Sequence, residues 1–506
     1  MSSTSLSSGA TGRDKARAWR IARVLAPLAA IVVFAVVAQT HWLVNSDTSW
    51  NITLAEKVLD GQRPNIDFFE INPPLSFLLY LPPTLAGRLT GASPEFMVDL
   101  FCFACAGLSL WLCGRILVRS DVFAPFVGAR FVVVAAAALL LLPARAFNER
   151  EHIAMMLALP CLAALAVWAT RGCIDPLLSL CAGLGAGVAM AIKPHFALFF
   201  LPNVAYLVRR AGWRVLIRRI ELWAALATAA LCWGAMALWC PSFFERVAPI
   251  ARDIYLPYRR PLAMLSHDPT FLTWAALGVL LGFAARKRWT EPLVAVPALA
   301  SLGAVAAYLI QGKLWPYQGY PAVALVALAL VPLALDGLAR TDQARSAFVG
   351  MTIAICSALV LSFAGLWFAL GGDKPDLERA VAAIAPHPKI LAISPDIATG
   401  HPLTRRVHGV WVGSLMSLWI TQMSDAALQR NPSADDARRY QAYLLFDRRT
   451  LAADIVDKRP DAILIPNETW LAWALGQTEI ALALADYHLR ETADGVMVYA
   501  RNDSGR

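Results

Sequence analysis

Charged residues are scarce in this chain of 506 residues. They make up 16% of it, whereas hydrophobic residues make up 58%, and the mean hydropathy is +0.54. Soluble globular proteins carry about 25% charged and roughly 45–50% apolar residues. Apolar residues in such excess do not fit inside one core, so many of them must face lipid. The same composition excludes disordered, collagenous and disulfide-scaffold proteins.

The sequence also lacks the motifs of several large enzyme classes. It contains no P-loop, HExxH, GxSxG or Rossmann fingerprint, so nucleotide use, zinc proteolysis and serine hydrolysis have no support. Its nine cysteines lie nearly all in apolar runs, and no CxxC pair is accompanied by a distant second pair or by histidines. A zinc site is therefore not expected, and the cysteines are predicted to be small buried hydrophobic residues.

Long apolar runs recur along the chain at the length that crosses a bilayer, about 20 residues. We predict about eleven spans, near 21–40, 96–114, 122–142, 152–170, 175–192, 195–208, 221–240, 270–285, 292–310, 320–338 and 347–370. The fifth and sixth come from one stretch interrupted at Lys193, Pro194 and His195, where proline favours a bend. No small-residue cleavage pattern closes the first run, so we predict a retained span rather than a signal peptide.

Clusters of lysine and arginine predict the orientation of these spans. Such clusters precede the first span and follow the second, fourth, sixth, eighth and tenth, so all lie on one side. The positive-inside rule makes that side cytoplasmic, with residues 1–20 as a cytoplasmic tail. The formal net charge of +9 is then explained by topology. Membrane lipids are expected partners, nucleic acid is not, and the predicted location is the cell (inner) membrane.

The opposite, extracytoplasmic side receives the long connections. Within a transmembrane module of residues 21–370, these are the outer loops 41–95, 143–151, 241–269 and 311–319. The apolar stretch 74–91 is short and contains Pro82, Pro83 and Arg88, so we predict a helix lying on the outer interface. If it spanned the membrane, every later basic cluster would change sides.

The last part of the chain, residues 371–506, is predicted to be a periplasmic α/β domain. Strands are expected near 389–393, 461–465 and 495–499, separated by helices near 376–385, 435–456 and 470–485. The predicted fold class is thus a mainly α-helical polytopic membrane protein with a C-terminal soluble α/β domain.

The first outer loop carries the acids Asp47, Asp67 and Glu70 beside aromatic residues. One interpretation is structural. Ser46 or Asp47 fits the N-cap of a helix over 50–59, and Asp67 fits a solvated loop acid. The other interpretation is a functional cluster at the membrane surface, and these residues alone do not decide between the two.

The order of motifs in this loop resembles the GT-C superfamily of membrane glycosyltransferases. A carboxylate follows the first span, then come a surface helix, Gly61-Gln62-Arg63-Pro64, and Glu70-Ile71-Asn72-Pro73-Pro74-Leu75. The aminoarabinose and protein O-mannosyl transferases are nearest in pattern. The resemblance covers roughly residues 21–340. Those families commonly have Lys or Glu directly before Pro-Pro, where this chain has Asn72, which leaves the sugar and acceptor class open.

The resemblance implies glycosyl transfer from a polyprenyl-phosphate sugar donor to an extracytoplasmic acceptor, which could be a glycolipid, a polysaccharide or a protein. Asp47 occupies the family position of the general base, which takes the proton of the acceptor hydroxyl. Glu70 and Glu151 are predicted as further catalytic acids. Cations are required because negative charge grows on the departing lipid phosphate.

The second outer loop supplies Glu149 and Glu151, of which we favour Glu151 as the acid that faces the first loop. It could hold Asp47 in position, bind a divalent metal together with Glu70, or contact the acceptor. The alternative is an interfacial helix N-terminus, where acids suit the helix dipole. No cofactor is assigned, and a divalent metal is left open because one sequence does not show several ligands converging.

Several further residues are predicted to bind the donor or acceptor by the same resemblance. They are Asp67, Lys193, His195, Arg252, Tyr255, Arg259, Arg260, Lys313 and Tyr317. The arginines and Lys313 are candidates for the lipid phosphate, and Tyr255 for stacking on the sugar or lipid. Simple alternatives are snorkelling of Lys193, headgroup binding by the basic loop 241–269, and an aromatic belt around Tyr317.

The main rival class is a transporter or flippase for a lipid-linked oligosaccharide or a small molecule. Transporters commonly place ionisable residues near the bilayer midplane and contain repeated halves. Here the predicted midspan regions are nearly free of charge, the acids gather at one face, and no internal repeat is evident. This pattern favours the glycosyltransferase.

Overall fold

The computed structural model describes residues 7–42, 44–119, 125–170, 172–339 and 343–502. Within these ranges, seven helices are long and apolar enough to cross a membrane: Val24–Trp42, Pro94–Val118, Arg150–Ala169, Ile220–Trp239, Pro292–Gln311, Pro316–Ala339 and Ala344–Ala369. Three shorter apolar helices are Arg130–Leu140, Pro176–Ile192 and Pro269–Ala284. Together they confirm the mainly helical polytopic class.

The sixth predicted span differs from the others because it is not one α-helix. A 3-10 segment, Pro194–Phe199, precedes the helix Leu201–Ala211. Lys193 is extended, with φ −149° and ψ 128°, as expected for a residue before proline. Gly303 lets this bend pack closely, since a Cβ there would lie 1.8 Å from the carbonyl oxygen of Leu198. The predicted bend is thus locked against the helix Pro292–Gln311.

The N-terminal helix runs over Ser7–Trp42, so it begins inside the segment that was predicted as a tail. Residues 1–6 lie outside the described part of the chain. The side chains of the predicted basic cluster before the first span lie outside it as well.

Short helices build the outer end of the bundle. In the first outer loop they are Ser46–Leu59, Leu75–Leu78 and Leu81–Thr90, and in the predicted loop 241–269 they are Phe243–Val247, Ala248–Ile250, Ala251–Tyr255 and Leu262–Ser266. Phe243–Val247 and Ala251–Tyr255 are π-helical, a form that often occurs at functional sites.

The first of these helices is capped by Asn45, whose side-chain oxygen accepts the backbone N–H of Thr48 at 2.8 Å. The structural interpretation of the sequence named Ser46 or Asp47 as the cap, and that was wrong. Since Asn45 satisfies the helix end, the carboxylate of Asp47 is available for other contacts.

The C-terminal domain contains a five-stranded sheet in the order β2-β1-β3-β5-β4. The strands are β1 Lys389–Ala392, β2 Val410–Trp411, β3 Ala462–Ile465, β4 Tyr487–Ala493 and β5 Val496–Arg501. β1 pairs in parallel with β2 and β3, whereas β5 is antiparallel to β3 and β4. The helices are Pro375–Ala382, Leu403–Arg406, Trp419–Leu428, Ala434–Lys458, Glu468–Leu475 and Thr478–Leu484.

The domain is docked on the outer loops through buried contacts. Trp50, Leu54, Phe68 and Phe77 of the first loop share an apolar core with residues of the domain. Arg405 of the domain reaches back to the membrane module, where its guanidinium lies 2.7 Å from Glu56 and 2.8 Å from Glu95. The domain therefore forms part of the scaffold that positions the first outer loop.

Candidate active site

Arg150 joins the two outer loops that carry the predicted acids. Its guanidinium donates a hydrogen bond of 2.8 Å to Oδ1 of Asp47 and lies 3.9 Å from Oε1 of Glu70. Arg150 and Glu70 are buried, whereas the side chain of Asp47 keeps 24% of its surface exposed. Asp47 and Glu70 thus belong to one cluster, in which Asp47 is open to an incoming molecule.

Glu70 is held by the first outer loop itself. The indole of Trp50 donates to Oε2 at 2.6 Å, and the backbone N–H of Asn72 donates to Oε1 at 2.9 Å. Both oxygens of Glu70 thus accept hydrogen bonds from the first outer loop, and the carboxylate also lies near the charge of Arg150.

Glu151 and Lys193 form a buried ion pair behind this cluster. Their side chains are 1% and 8% exposed, and Nζ lies 2.7 Å from Oε1. Lys193 thus contacts a protein anion rather than projecting to the surface. Glu149, not the favoured Glu151, lines the small cavity that contains Asp47. Burial and the nearby charge of Asp47 raise the pKa of Glu149.

This cavity has a volume of about 190 Å³ and gives access to Asp47 from the outer end of the bundle. Its lining includes Ser46, Glu149, Tyr317 and Trp367. Burial raises the pKa of Asp47, while Arg150 and Lys193 act in the opposite direction. A carboxylate with a raised pKa is a stronger base than one in water, which suits proton transfer.

Lys313 is the centre of a second, cationic cluster. Its ammonium donates to the backbone carbonyls of Tyr255 and Tyr258 and lies 4.1 Å from the centre of the Tyr255 ring. Arg259 packs on Gly312, and the backbone N–H of Arg260 donates to the Gly312 carbonyl at 2.8 Å. Burial and the like charges of the two arginines lower the pKa of Lys313 to about 7.

Tyr255 connects the two clusters. Its backbone and ring contact Lys313, while its phenol is close enough to Arg150, Asp47 and Glu70 for their charges to act on it. Burial raises the pKa of this phenol, so Tyr255 stays protonated and can donate a hydrogen bond. Tyr255 therefore contacts Lys313 directly and lies within reach of the charges of the acids of the first loop.

Two predicted binding residues lie outside this arrangement. Asp67 is paired with Arg63, four residues earlier, and both side chains are exposed. Arg252 is 69% exposed and pairs with Asp253, which also accepts a hydrogen bond from Tyr443 of the C-terminal domain. Neither contacts the acid or cation cluster among the described residues. Each side chain is instead held by a local ion pair.

Two histidines lie near the site, of which His152 is buried and His195 is partly buried. The ring of His152 bonds to the carbonyl of Leu139 and to the backbone N–H of Asn148. His195 packs edge-on against Phe196, and its Nε2 lacks a partner in the described part of the chain. Across the described ranges, no three His, Cys, Asp or Glu side chains converge to hold a metal ion.

Sequence reasoning missed the residues that organise the acids. Arg150 was not predicted as a site residue, although it stands between two glutamates in an outer loop. Trp50 was not predicted either, because it lies within the first surface helix. The signal for Arg150 was a basic residue on the side that the positive-inside rule leaves poor in cations. No local signal identifies Trp50 as the donor to Glu70.

The fold is similar to that of known glycosyltransferases. ArnT, an aminoarabinose transferase, from Cupriavidus metallidurans bound to undecaprenyl phosphate superposes with a TM-score of 0.57 at 16% identity, covering 95% of this chain and 98% of that one. The apo form of the same enzyme gives 0.54 at 16% identity, covering 93% and 97%. Arabinofuranosyltransferase AftD from Mycobacteria gives 0.44 at 14% identity, covering 97% of this chain and 40% of that one.

The sequence matches no protein-family model and no curated protein sequence. At 16% identity, the likeness to ArnT concerns the fold. It extends over both the helical bundle and the C-terminal domain, because nearly all of both chains is covered. The expected mainly helical membrane fold with a C-terminal domain is thus confirmed as the fold that this chain shares with ArnT.

Proposed function

We propose that the protein is a membrane glycosyltransferase that moves a sugar from a polyprenyl-phosphate donor to an extracytoplasmic acceptor. The observations that carry this proposal are a partly exposed carboxylate, Asp47, held by the buried Arg150, and a buried cation, Lys313, that packs on Tyr255. The first provides an accessible base, and the second provides buried positive charge. Transfer from a lipid phosphate needs both, within a few ångströms of the bond that breaks.

Asp47 acts as the general base in this reaction. An acceptor hydroxyl attacks the anomeric carbon of the sugar, the bond from that carbon to the phosphate oxygen breaks, and the hydroxyl proton passes to Asp47. The products are the glycosylated acceptor and polyprenyl phosphate. Arg150 orients Oδ1 of Asp47 by its 2.8 Å hydrogen bond, and no other side chain in the described ranges bonds to the carboxylate of Asp47.

Lys313, with Arg259 and Arg260, stabilises the departing phosphate. Lys313 is 7% exposed and meets two carbonyls and two aromatic faces, but no carboxylate lies within 4 Å of it among the described residues. A buried cation without an anionic partner is costly, so an arriving phosphate is strongly favoured. The undecaprenyl phosphate bound to ArnT, which has the same fold, supports a lipid phosphate as the ligand here.

The location that we propose is the inner membrane, with the site on the periplasmic side. The outer loops and the C-terminal domain meet at one end of the bundle, as the contacts of Arg150, Arg405 and Lys313 illustrate. The basic clusters of the sequence favour the opposite end as the cytoplasmic one. A donor whose lipid tail stays in the outer leaflet would reach Asp47 from that leaflet.

The proposal is tested by the envelope glycans of cells that produce the protein. Mass spectrometry of surface glycans and glycolipids is compared between a deletion strain, the same strain with the wild-type protein, and one with Asp47→Asn. We expect one species to differ by a single sugar and to be restored only by the wild type. Identical profiles in the deletion and wild-type strains, with the protein present in the membrane, would reject glycosyl transfer.

A further inference from the structure

The small cavity that contains Asp47 has further lining residues to which the proposed transfer gives no role. Glu149, Tyr317 and Trp367 are three of them. Lys313 and the two arginines assigned to the donor phosphate do not line the cavity as far as the chain is described. Because the cavity holds the proposed base but not the proposed phosphate contacts, it is placed to receive the acceptor.

Glu149 is buried in the wall of this cavity with one carboxyl oxygen unpaired. The residue is 1% exposed, and its Oε2 has no hydrogen-bond partner in the described part of the chain. It is the N-cap residue of the helix Arg150–Ala169, yet its side chain makes no capping bond. A carboxyl group turns easily about its last torsion, so either oxygen can face the cavity. A buried polar group without a partner is unfavourable, and a ligand that bonds to Glu149 removes that disadvantage.

Tyr317 and Trp367 give the cavity a second unpaired polar atom and an aromatic wall. The phenol oxygen of Tyr317 makes no hydrogen bond within the described ranges, and Asp47 and Glu149 lie close enough for their charges to act on it. The indole of Trp367 donates to Oγ1 of Thr270 at 3.1 Å, which fixes the orientation of its ring. Aromatic walls with a few fixed polar groups are typical of small-ligand sites. A sugar ring, with an apolar C–H face and hydroxyls at its edge, matches this combination.

The charges around the cavity disfavour an anion. Arg145 is the one cation among the described residues of the lining, and Asp373 accepts hydrogen bonds from both of its terminal nitrogens, at 3.3 Å and 3.0 Å. Burial and the neighbouring charge of Asp47 raise the pKa of Glu149, which favours its protonated form. A protonated carboxyl both donates and accepts hydrogen bonds, as a sugar hydroxyl does. An anionic group would instead lie beside the carboxylate of Asp47.

We propose that this cavity binds one uncharged sugar unit of the acceptor, with its hydroxyls on Glu149 and Tyr317 and its apolar face against Trp367. The volume of about 190 Å³ equals that of about six waters, which is room for about one monosaccharide. The acceptor is then the end of a neutral glycan or glycolipid rather than a phosphate, an acidic sugar or a peptide. This inference rests on the proposed transfer, because that reaction places the acceptor hydroxyl beside Asp47.

Saturation-transfer NMR on the purified full chain tests binding without turnover. The protein is kept in a detergent that has no sugar headgroup. The probes are methyl glucoside, methyl galactoside and methyl mannoside, each compared with its uronic acid counterpart, and N-acetylthreonine methylamide as a peptide hydroxyl. We expect at least one neutral glycoside to bind about tenfold more tightly than its uronic acid counterpart, and more tightly than the threonine amide.

Four variants show whether the glycoside binds in this cavity. Glu149→Ala and Tyr317→Phe each remove one hydrogen-bonding group and should each weaken binding by about threefold to tenfold. Glu149→Gln keeps a donor and an acceptor, so its affinity should stay within about twofold of the wild type. Glu245→Ala, which removes an exposed glutamate of another outer loop, is the matched control and should bind like the wild type. Thermal unfolding shows which variants are folded, and Tyr317→Phe decides if Glu149→Ala is not.

Three results would overturn the proposal. They are equal binding of a neutral glycoside and its uronic acid counterpart, unchanged binding in the folded variants of Glu149 and Tyr317, and the absence of a signal from every neutral glycoside. Because no donor is present, failure of the proposed transfer is recognised separately. Unchanged envelope glycans in the deletion strain, together with the expected glycoside binding, would reject the transfer and leave the cavity as a sugar-binding site.

Discussion

Arg150 donates a 2.8 Å hydrogen bond to Asp47 while lying 3.9 Å from the carboxylate of Glu70, so one buried guanidinium serves the acids of the first outer loop. Its positive charge lies close to both carboxylates, one buried and one partly exposed. Trp50 and Asn72 then fix Glu70, which leaves Asp47 as the accessible member. This arrangement leads to the first prediction.

Replacing Arg150 should destabilise the protein as well as inactivate it. Arg150→Met leaves Asp47 and Glu70 without their shared cation, and removing one partner of a buried ion pair costs about 3–5 kcal/mol. Thermal unfolding in detergent should show a clearly lower midpoint. Arg150→Lys keeps the charge but loses the forked geometry, so it should fall between the wild type and Arg150→Met. Equal midpoints for all three proteins would exclude this role.

Use of the donor should depend on pH through Lys313. Its pKa is lowered to about 7, so the free enzyme loses the positive charge as pH rises through that value. The kcat/KM for the donor should therefore fall above about pH 7, mainly through a higher KM. In Lys313→Arg the guanidinium stays charged, so the fall of kcat/KM above about pH 7 should disappear. A wild-type profile that stays flat between pH 6 and pH 9 would rule out Lys313 as the phosphate contact.

The pair Glu151–Lys193 should stabilise the bend rather than the donor. Both side chains are buried and their atoms lie 2.7 Å apart, so either single change strands one charge. Lys193→Met and Glu151→Gln should each cost about 3–5 kcal/mol, and the double variant should recover part of that loss. The unfolding midpoints of the wild type, the two single variants and the double variant together form a double-mutant cycle. Additive losses, or a change confined to the donor KM, would contradict the structural role.

Arg405 should couple the C-terminal domain to the membrane module. It binds Glu56 and Glu95 of the module through its guanidinium and also donates to the backbone carbonyl of Ser49. Arg405→Ala should loosen the domain and expose its junction to limited proteolysis. Arg379→Ala, which removes a 78% exposed arginine of the same domain, is the matched control. Equal cleavage rates in the two variants would argue against coupling of the domain to the membrane module by Arg405.

Much of the bundle follows from the sequence because apolar length and proline position are local properties. Each predicted span overlaps a helical segment, and the extended Lys193 before Pro194 explains why one span is broken. In the C-terminal domain, β1, β3 and β5 were predicted from apolar runs. β4 was missed because its central residues are exposed, and β2 because it has only two residues.

The site was harder to predict because its contacts join distant segments. Nothing local shows that Arg150 meets Asp47, or that Lys313 packs on Tyr255. Asp67, predicted as a binding residue by resemblance, pairs with Arg63 four residues earlier. The C-terminal domain docks on the first outer loop because apolar residues of both become buried together. The sequence of either segment by itself does not show which surface it packs against.

The central claim is that Asp47 takes the proton of the acceptor, and sugar transfer in reconstituted vesicles measures this most directly. Purified wild type, Asp47→Asn and Asp435→Asn are compared, the last removing an acid of the C-terminal domain whose side chain is 81% exposed. The account predicts that Asp47→Asn lowers kcat by about 10²–10⁴-fold while donor binding and folding persist. Asp435→Asn should match the wild type. Transfer by folded Asp47→Asn at the wild-type rate would contradict the account.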